Sequence, residues 1–394
     1  MKKQTQAIHL EYERRDAYDS LSVPVYNTLA YEFDNAAIMA EAFTDKIKAP
    51  DYSRVENPTV TNLERRVAAL TDAAHATAFN SGMAAISNTL MALAAQGKNI
   101  VTSKHLFGNT YALLVATLRR FGVKVRLRDL TNIEAVREAI DDDTCCVFLE
   151  ILTNPQLEVA DLKAISEVAH EKNVPLVVDS TVIPFTQFSA KSLGVDIEVV
   201  SSSKYVSGGA TSLGGLVIDY GTPYNGDFAK RLYGEMLFNF GAYMTPQVAY
   251  MQTIGLETLD ARYRVQSGNA LKLAKKLRSL PQIKYVNYVG LEDNPYHELA
   301  QRQFGKTAGA MICIDLESKE ACFSFLNNLK LIHRATNLFD NRSLAIHPAS
   351  TIFGAFSESM RKSMDVKDTT IRLSVGLEDV DDLFEDIKQA VNSL

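Results

Sequence analysis

The sequence predicts an α/β fold in which a mainly parallel sheet is covered by helices on both faces. Strand-like runs such as 145–152 and 175–179 are apolar nearly throughout, whereas a strand with one solvent-exposed face would alternate. A segment with helical spacing of apolar residues separates most successive runs. Polar residues fall at or near the carboxyl ends of these runs, where parallel sheets bind ligands: Glu150, Asn154, Asp179 and Lys204.

Each predicted element rests on the spacing of its apolar residues. In the larger unit, helices are predicted over 62–70, 83–95, 111–121, 133–139 and 162–172, and strands over 98–102, 123–127, 145–152, 175–179 and 196–200. A long helix over 256–280 ends before Pro281 and leads to a segment over 283–289. Strands over 310–316 and 369–375 then alternate with helices over 319–329 and 380–391, which predicts a smaller α+β unit.

These patterns predict three parts: an amino-terminal arm over 1–58, a large domain over 59–250 and a small carboxyl-terminal domain over 251–394. The arm is irregular, with Pro24, Pro50, Pro58 and several tyrosines. A long aromatic-bearing leader of this kind is expected to pack on another surface rather than to form a loose tail.

The composition is that of an ordinary globular protein, with 46% hydrophobic and 22% charged residues in 394. A net charge of −6 gives no nucleic-acid footprint. The chain has no apolar run long enough for a bilayer and no apolar core behind its first basic residues, so a cytoplasmic location is expected. The spacing of the cysteines and histidines fits no metal site, and buried free thiols are expected.

The most informative stretch is 201–215, SSSKYVSGGATSLGG, which follows a predicted strand. Its Lys204 stands among small hydroxyls and before permissive backbone, as an enzyme needs to hold an aldehyde cofactor as a Schiff base. Burial would lower the pKa of the amine toward the deprotonated state that attacks. The alternative is a surface lysine in a serine- and glycine-rich loop.

Further features fit one aldehyde cofactor, pyridoxal 5′-phosphate (PLP). They are Ser81, Gly82 and Met83 at a helix start for the phosphate, Phe107 for stacking on the ring, Asn154 for the phenolic oxygen and Asp179 for the pyridine nitrogen. Each also has a structural interpretation: an N-cap serine, a packed aromatic, an Asn-Pro turn and a strand-end aspartate. Their order along the chain and their placement at strand ends favour the cofactor.

With these residues in place, the chain resembles the Cys/Met-metabolism enzymes among the fold-type I PLP proteins. The resemblance runs in order over nearly the whole chain: 52–59 (YSRVENPT), 81–83 (SGM), Asp179, 201–204 (SSSK), 347–350 (HPAS) and 372–376 (RLSVG). It implies a seven-stranded, mainly parallel sheet flanked by helices. Several segments, including 255–259 (GLETL) and 343–351 (SLAIHPAST), are most similar to the O-acetylhomoserine sulfhydrylase branch, with methionine γ-lyase and cystathionine γ-synthase as near relatives.

The resemblance also implies roles for individual residues. Lys204 would bind the cofactor and shuttle protons, with Tyr52 as a second catalytic residue. Arg372 would hold the substrate's α-carboxylate in a two-pronged bond, beside Asn337. The phosphate would be bound by Gly82, Met83, Ser201 and Ser203, and by Tyr52 and Arg54 of a neighbouring subunit. The resemblance thus implies a homo-oligomer, at least a dimer and usually a dimer of dimers.

Departures from the family concern the side chains around the cofactor ring. Phe107 stands where the family usually has a tyrosine, so the ring stack is kept and a proton-donating hydroxyl is lost. Asn109 stands where methionine γ-lyases tend to carry a cysteine, and Ser203 replaces a common threonine. The glycine run 208–212 lacks the histidine usual in the sulfhydrylase branch, although Asn337 fits that branch.

The sequence therefore predicts γ-replacement on an O-acyl-L-homoserine by sulfide or a thiol, giving homocysteine or methionine. The first alternative is elimination by the same residues, as in methionine γ-lyase or a cystathionine lyase. The second is cystathionine γ-synthase chemistry. A non-catalytic relative is disfavoured because every core residue of the set is present. An aminotransferase is disfavoured by the segments around Tyr52 and His347.

Overall fold

A computed structural model of the chain describes residues 1–10, 16–44 and 46–394. The α-helices within these residues are α1 (Lys3–His9), α2 (Ala36–Ala42), α3 (Pro58–Thr71), α4 (Gly82–Leu93), α5 (Gly108–Ala112), α6 (Ile133–Ala139), α7 (Leu162–His170), α8 (Phe228–Arg231), α9 (Phe238–Phe240), α10 (Pro246–Glu257), α11 (Leu259–Leu277), α12 (His297–Phe304), α13 (Lys319–Asn328), α14 (Glu358–Ser363) and α15 (Val380–Val391).

The strands within the same residues are β1 (His75–Phe79), β2 (Asn99–Ser103), β3 (Lys124–Arg128), β4 (Thr144–Glu150), β5 (Leu176–Asp179), β6 (Ile197–Val200), β7 (Gly215–Asp219), β8 (Tyr285–Asn287), β9 (Met311–Asp315), β10 (His333–Arg334), β11 (Leu344–Ile346) and β12 (Thr370–Ser374). Among the described helices, none combines the length and the apolar character that a bilayer crossing requires.

The larger sheet confirms the predicted fold class. Its seven described strands lie in the order β1-β7-β6-β5-β4-β2-β3, and β7 pairs antiparallel with both of its neighbours, whereas the other described pairs are parallel. Buried strands such as β2, with all five residues buried, explain the continuous apolar runs. Because the parallel strands share one direction, their carboxyl ends meet along one edge of the sheet.

Helix caps fix where the helices around that edge begin. Ser81 caps α4 by accepting a hydrogen bond from Ala84, and Asn57 caps α3 before Pro58 at the first helical position. Asp161 caps α7 in the same way. The start of α4 is therefore set by the sequence itself, immediately after β1.

A second sheet lies toward the carboxyl end in the order β10-β11-β12-β9-β8. Its strands β12 and β9 pair antiparallel, with Arg372 opposite Cys313. One apolar core includes Val147 and Leu176 from the larger sheet as well as Ile312 and Leu373 from the smaller. The division into domains at residue 250 stays a prediction.

Several elements differ from the prediction. The strands β1 and β7 fall in segments where no strand was expected: β1 (HATAF) carries little apolar pattern, and the apolar residues of β7 (GLVID) follow directly on the glycine-rich stretch. The predicted helix over 256–280 corresponds to α11, which begins after Thr258 (φ −106°, ψ 2°), while α10 before it was not predicted. The predicted helix over 111–121 passes from α5 into a π-helical turn, Leu113–Thr117, and a 3₁₀ turn, Leu118–Phe121.

Candidate active site

A cavity of about 950 Å³ opens at the carboxyl ends of β4, β5 and β6. Eleven of the thirteen predicted site residues line it: Ser81, Gly82, Met83, Phe107, Asn154, Asp179, Ser201, Ser203, Lys204, Asn337 and Arg372. Residues that are up to 291 positions apart in the sequence (Ser81 and Arg372) thus line the same cavity. A cleft of this size with convergent charged groups is the usual form of a cofactor and substrate site.

Lys204 lies just after β6, in a turn that is closed by a hydrogen bond. In this bond the amide of Lys204 donates to the carbonyl oxygen of Ser201 at 3.1 Å. Its Nζ donates a 2.8 Å hydrogen bond to Oδ1 of Asn337. Burial, together with the nearby positive charge of Arg372, lowers the pKa of Lys204 to about 8. The amine is therefore much easier to deprotonate than an exposed lysine.

Two carboxyl groups lie side by side at the sheet edge. Asp179 ends β5 and is paired in register with Glu150, which ends β4. Burial raises the pKa of Asp179, whose Oδ1 accepts a 2.9 Å hydrogen bond from the amide of Thr181. Burial and the neighbouring Asp179 raise the pKa of Glu150 to about 8, so Glu150 is mainly protonated at neutral pH. Because adjacent carboxylates repel each other, the pair favours a single ionised carboxyl group at this edge, which could face a cationic group.

The amino end of α4 forms a second wall. The first amides of a helix have no acceptor within the helix, and the helix dipole favours an anion there. Gly82 lies against the end of β6 so closely that a Cβ would come within 2.6 Å of the Cβ of Ser201. Gly82 is thus required by this contact, which keeps the helix start beside the serine turn.

The serine turn contributes hydroxyls with different partners. The Oγ of Ser203 donates to the carbonyl oxygen of Gly214 at 3.1 Å and accepts from its amide at 2.9 Å. Gly214 has no room for a side chain, because a Cβ would lie 2.2 Å from Nε2 of Gln252. Ser201 lines the cavity, and its amide donates to Oγ1 of Thr181 at 2.8 Å. Of the two serines predicted to bind the phosphate, Ser201 therefore has the hydroxyl that is more available for it.

Arg372 reaches the cavity from β12 of the smaller sheet and is 2% exposed. Its Nη1 donates to Oδ1 of Asn154 at 3.1 Å, and its Nη2 donates to the main-chain oxygen of Asn337 at 3.3 Å. Its buried Nε has no hydrogen-bond partner among the described residues. Burial lowers the pKa of Arg372 to about 10, which still leaves it charged at neutral pH. A buried guanidinium with an unused donor fits an incoming carboxylate.

Phe107 precedes α5, and its amide donates to Oε1 of Glu150, which ties the main chain of Phe107 to the carboxyl pair, while its side chain lines the same cavity. Tyr52 and Arg54, in contrast, lie outside the cavity of their own chain. The Arg54 guanidinium lies 5.4 Å from the ring centroids of both Tyr52 and Phe238. Their roles stay predictions that depend on a second subunit.

Sequence reasoning missed several cavity residues. Glu150 was noted at a strand end, but its pairing with Asp179 follows from the strand register and not from the sequence. Thr181, two residues after Asp179, carried a weak signal of the same kind. Thr336 and Thr351 line the cavity from loops that tertiary packing brings to it, and neither stands in a motif.

Comparison with known proteins agrees with this geometry. The family described as "Cys/Met metabolism PLP-dependent enzyme" matches residues 4–392. An L-methionine gamma-lyase of Fusobacterium nucleatum subsp. polymorphum is 38% identical, over 99% of this chain and 98% of its own. An O-acetyl-L-homoserine sulfhydrylase of Corynebacterium glutamicum is 32% identical, over 98% and 95%.

A solved structure is similar over the full length of both chains. It is a putative O-acetylhomoserine (thiol)-lyase of Campylobacter jejuni subsp. jejuni, with a TM-score of 0.95 and 35% identity. That crystal structure contains N'-pyridoxyl-lysine-5'-monophosphate at position 205.

The cavity described above fits PLP on its own chemistry. It offers a lysine of lowered pKa, a buried carboxylate, a helix start held open by Gly82 and a buried guanidinium with an unpaired Nε. Relatives of both activities match nearly the whole chain, which makes it an enzyme of sulfur amino-acid metabolism. The chain belongs to the Cys/Met metabolism PLP-dependent enzyme family, and its cofactor is PLP.

Proposed function

We propose that the enzyme catalyses γ-replacement on an O-acyl-L-homoserine, in which sulfide or a thiol displaces the acyloxy group. The products would be a carboxylate and homocysteine, or methionine when the thiol is methanethiol. The observation that carries this choice is the wall of the cavity around Phe107. Among the described residues of a single chain, no tyrosine lines that cavity, and the Tyr52 that a second subunit would contribute is proposed to lie at the phosphate.

The leaving group decides whether a missing tyrosine matters. A carboxylate leaves as a weak base whose conjugate acid has a pKa of about 4, while a thiol group has a pKa of about 8.5. Departure of a thiolate therefore gains more from a proton donor, and general acid catalysis contributes about 10²–10⁴-fold. A phenylalanine in this position suits an acyloxy substrate better than methionine.

The proposal gives a separate role to PLP and to each of five residues that line the cavity. When bound, PLP supplies an electron sink that stabilises negative charge on the substrate carbons. Lys204 removes the proton at Cα and then moves protons at Cβ, which its lowered pKa supports. Arg372 binds the α-carboxylate and Asn337 borders it. Asp179 pairs with the ring nitrogen, and Asn154 donates to the phenolic oxygen.

The charges in the cavity support an acetyl rather than a succinyl group. The cationic side chains among its described lining residues are Lys204 and Arg372, and the proposal uses both. A succinyl group would bring a second carboxylate into this cavity without a further cation from this chain. Such a charge would have to lose hydration without a partner, which is costly.

A second candidate is γ-elimination of methionine, and the L-methionine gamma-lyase of Fusobacterium nucleatum at 38% identity favours it. The sulfhydrylases at 32–35% identity favour replacement. Both reactions need the same proton transfers and the same carboxylate clamp. They differ in the leaving group and in whether a thiol or water completes the reaction.

We also propose that the active site is completed by a second copy of the chain. The arm exposes large apolar side chains that its own chain leaves uncovered: Tyr18, Leu21, Leu29 and Phe43. Burying such side chains against a partner is favourable. This supports a homo-oligomer in which Tyr52 and Arg54 of one subunit reach the phosphate in the other.

The test is a substrate panel with the purified holoenzyme. O-acetylhomoserine, O-succinylhomoserine, cystathionine and methionine are each supplied with and without sulfide, and amino-acid and keto-acid products are measured together. The proposal expects homocysteine from O-acetylhomoserine plus sulfide as the fastest reaction. Rapid keto-acid formation from methionine, with little turnover of O-acetylhomoserine and sulfide, would replace it with the lyase assignment.

A further inference from the structure

A second group of ionisable side chains lies behind the active-site cavity and takes no part in the proposed reaction. At its centre is His105, between β2 and α5, whose side chain is 7% exposed. Its Nδ1 contacts Oε2 of Glu158, and its Nε2 lies 2.8 Å from Oδ2 of Asp365. Ionised carboxylates only accept hydrogen bonds, so both ring nitrogens must donate. With both carboxylates ionised, this geometry fits a doubly protonated imidazolium.

The surrounding charges agree with that geometry. Burial by itself lowers the pKa of His105, but the hydrogen bonds and charges of Glu158 and Asp365 outweigh it, and the net pKa is raised. Lys104, on the same segment, opposes this in part and also pairs with Asp365 at 2.7 Å. Tyr296, immediately before α12, faces Glu158. Burial, and after it the charge of Glu158, raises the pKa of Tyr296 to about 12.

Two further charged side chains near this cluster pair with each other, and the charge of Asp129 also acts on Tyr296. A side cavity of about 280 Å³ adjoins His105. Across it, Nζ of Lys367 lies 2.8 Å from Oδ2 of Asp315. The imidazolium is thus paired mainly with its own two carboxylates, Glu158 and Asp365. Its protonation decides whether it can donate a hydrogen bond to both of them.

Glu158 and Asp365 belong to segments that carry active-site residues. Glu158 closes the loop after β4: its amide donates to Oγ1 of Thr153 at 2.9 Å, and its carbonyl oxygen accepts from the amide of Thr153 at 3.0 Å. Asn154 is the next residue in that loop. Asp365 lies in the turn before β12, which carries Arg372, and Nε2 of Gln156 donates to the main-chain oxygen of the adjacent Met364 at 2.7 Å.

We propose that His105 is a positioning residue whose imidazolium holds Glu158 and Asp365 at a fixed separation. That separation sets where Asn154 lies relative to Arg372, and the two are joined by a 3.1 Å hydrogen bond. Loss of the proton leaves one carboxylate facing a ring lone pair. The carboxylate clamp then loses its alignment and binds the amino-acid substrate less tightly.

The inference rests on the proposed function only in assigning the substrate carboxylate to Arg372. Its predicted effect falls on KM for the amino acid more than on kcat, because His105 touches neither the cofactor nor the reacting atoms. The effect depends on pH, since the clamp is aligned below the raised pKa of His105 and relaxes as pH rises through it. A merely structural histidine would not give that dependence.

The experiment compares His105→Gln with His105→Arg in the holoenzyme from about pH 6 to about pH 9, around the range in which histidines titrate. Glutamine keeps a neutral amide, whereas arginine keeps a permanent charge and several donors. His105→Gln is expected to raise KM about tenfold at the acidic end, the size of one lost charged hydrogen bond, with wild type converging on it as pH rises. His105→Arg is expected to stay near the acidic wild-type value throughout.

A direct measurement covers the case in which an arginine does not fit. Imidazole NMR of the wild type, with the His105 signal assigned from its loss in His105→Gln, should show both ring nitrogens protonated at neutral pH. Asp365→Asn, at a half-exposed side chain, should lower that pKa. A neutral His105 at neutral pH, a titration unchanged in Asp365→Asn, or equal KM values for wild type and His105→Gln would each overturn the inference.

These outcomes are separable from the proposed function. If the substrate panel shows methionine elimination instead, the same KM profile is measured with methionine, which carries the same α-carboxylate. The NMR titration needs no substrate. Failure of the γ-replacement assignment therefore leaves this test intact.

Discussion

Asn337 contacts both cations of the active site: its Oδ1 accepts from Nζ of Lys204 at 2.8 Å, and its main-chain oxygen accepts from Nη2 of Arg372 at 3.3 Å. The residue thus fixes an amine and a guanidinium on the same side of one loop. The positive charge of Arg372 adds to burial in lowering the pKa of Lys204 to about 8. Arg372 and Lys204 are therefore electrostatically linked.

This link predicts how the apoenzyme takes up its cofactor. Only the neutral amine of Lys204 attacks an aldehyde, so the uptake rate should rise with pH through about 8 and then level off. An exposed lysine would give a midpoint near 10.4. The measurement is the rate of the cofactor absorbance change after mixing apoenzyme with PLP at each pH.

Arg372→Gln is the matched variant for this prediction. It removes the neighbouring charge, keeps a polar side chain and leaves the burial of Lys204 in place. The midpoint of the uptake profile should move upward, toward but not as far as that of an exposed lysine. An unchanged midpoint would show that burial alone sets the pKa of the lysine.

The two adjacent carboxyl groups should respond very differently to amide substitution. Asp179→Asn removes the charge proposed to hold the ring nitrogen, so kcat should fall by at least about 100-fold, the scale of a lost active-site electrostatic partner. Glu150→Gln should retain most activity at neutral pH, because Glu150 is mainly protonated below a pKa of about 8 and an amide oxygen still accepts from Phe107.

The sign of the pH effect at Glu150 follows from the same pKa. Above about 8 the wild-type Glu150 ionises next to Asp179, while the glutamine variant stays neutral. The ratio of variant to wild-type kcat should therefore rise with pH. Equal losses in the two amide variants at neutral pH would contradict the assignment of Asp179 as the ring partner.

Local sequence was enough to predict the residues that stand at strand ends. Asp179 and Lys204 follow apolar runs, and the parallel order of those strands brings their ends together. The strand β7 escaped prediction because its start is determined by tertiary contact. A Cβ on Gly215 would lie 2.1 Å from the main-chain oxygen of Ser81, so the glycine there reflects packing and not a turn.

Contacts between distant segments were beyond sequence reasoning for a physical reason. The pairing of Glu150 with Asp179 depends on strand register, which a single sequence does not encode locally. His105 lies in no motif, and its two carboxylate partners are 53 and 260 residues away. The boundary between α10 and α11 at Thr258 is also not predictable from the sequence, because Thr258 is neither a glycine nor a proline and has neither beside it.

Phe107→Tyr tests the leaving-group argument. A hydroxyl added at the ring-stacking position should raise kcat/KM for methionine elimination by about 10-fold or more, toward the range of general acid catalysis. Turnover of O-acetylhomoserine with sulfide should change by less than about threefold, because a carboxylate leaves without a proton. Phe107→Leu, which lacks the ring, should impair both substrates. Equal gains for both substrates would remove the argument for an acyloxy substrate.

The contact between α4 and the serine turn makes a last prediction about Gly82. An alanine there would put its Cβ 2.6 Å from the Cβ of Ser201, so α4 must shift away from the cavity. Overpacking of this kind costs about 1–3 kcal/mol, and a lowered Tm together with a raised Kd for PLP is expected. Thermal unfolding of the apoenzyme and cofactor titration measure the two effects separately.

The double variant Gly82→Ala with Ser201→Gly separates packing from cofactor binding. Removing the Ser201 side chain leaves its Cα 3.0 Å from the new Cβ, so much of the lost Tm should return. The Kd for PLP should stay raised, because the proposed phosphate-binding hydroxyl is gone, and Ser201→Gly alone should show the same weakening. Recovery of both quantities in the double variant would mean that Ser201 shapes the helix start without binding the phosphate.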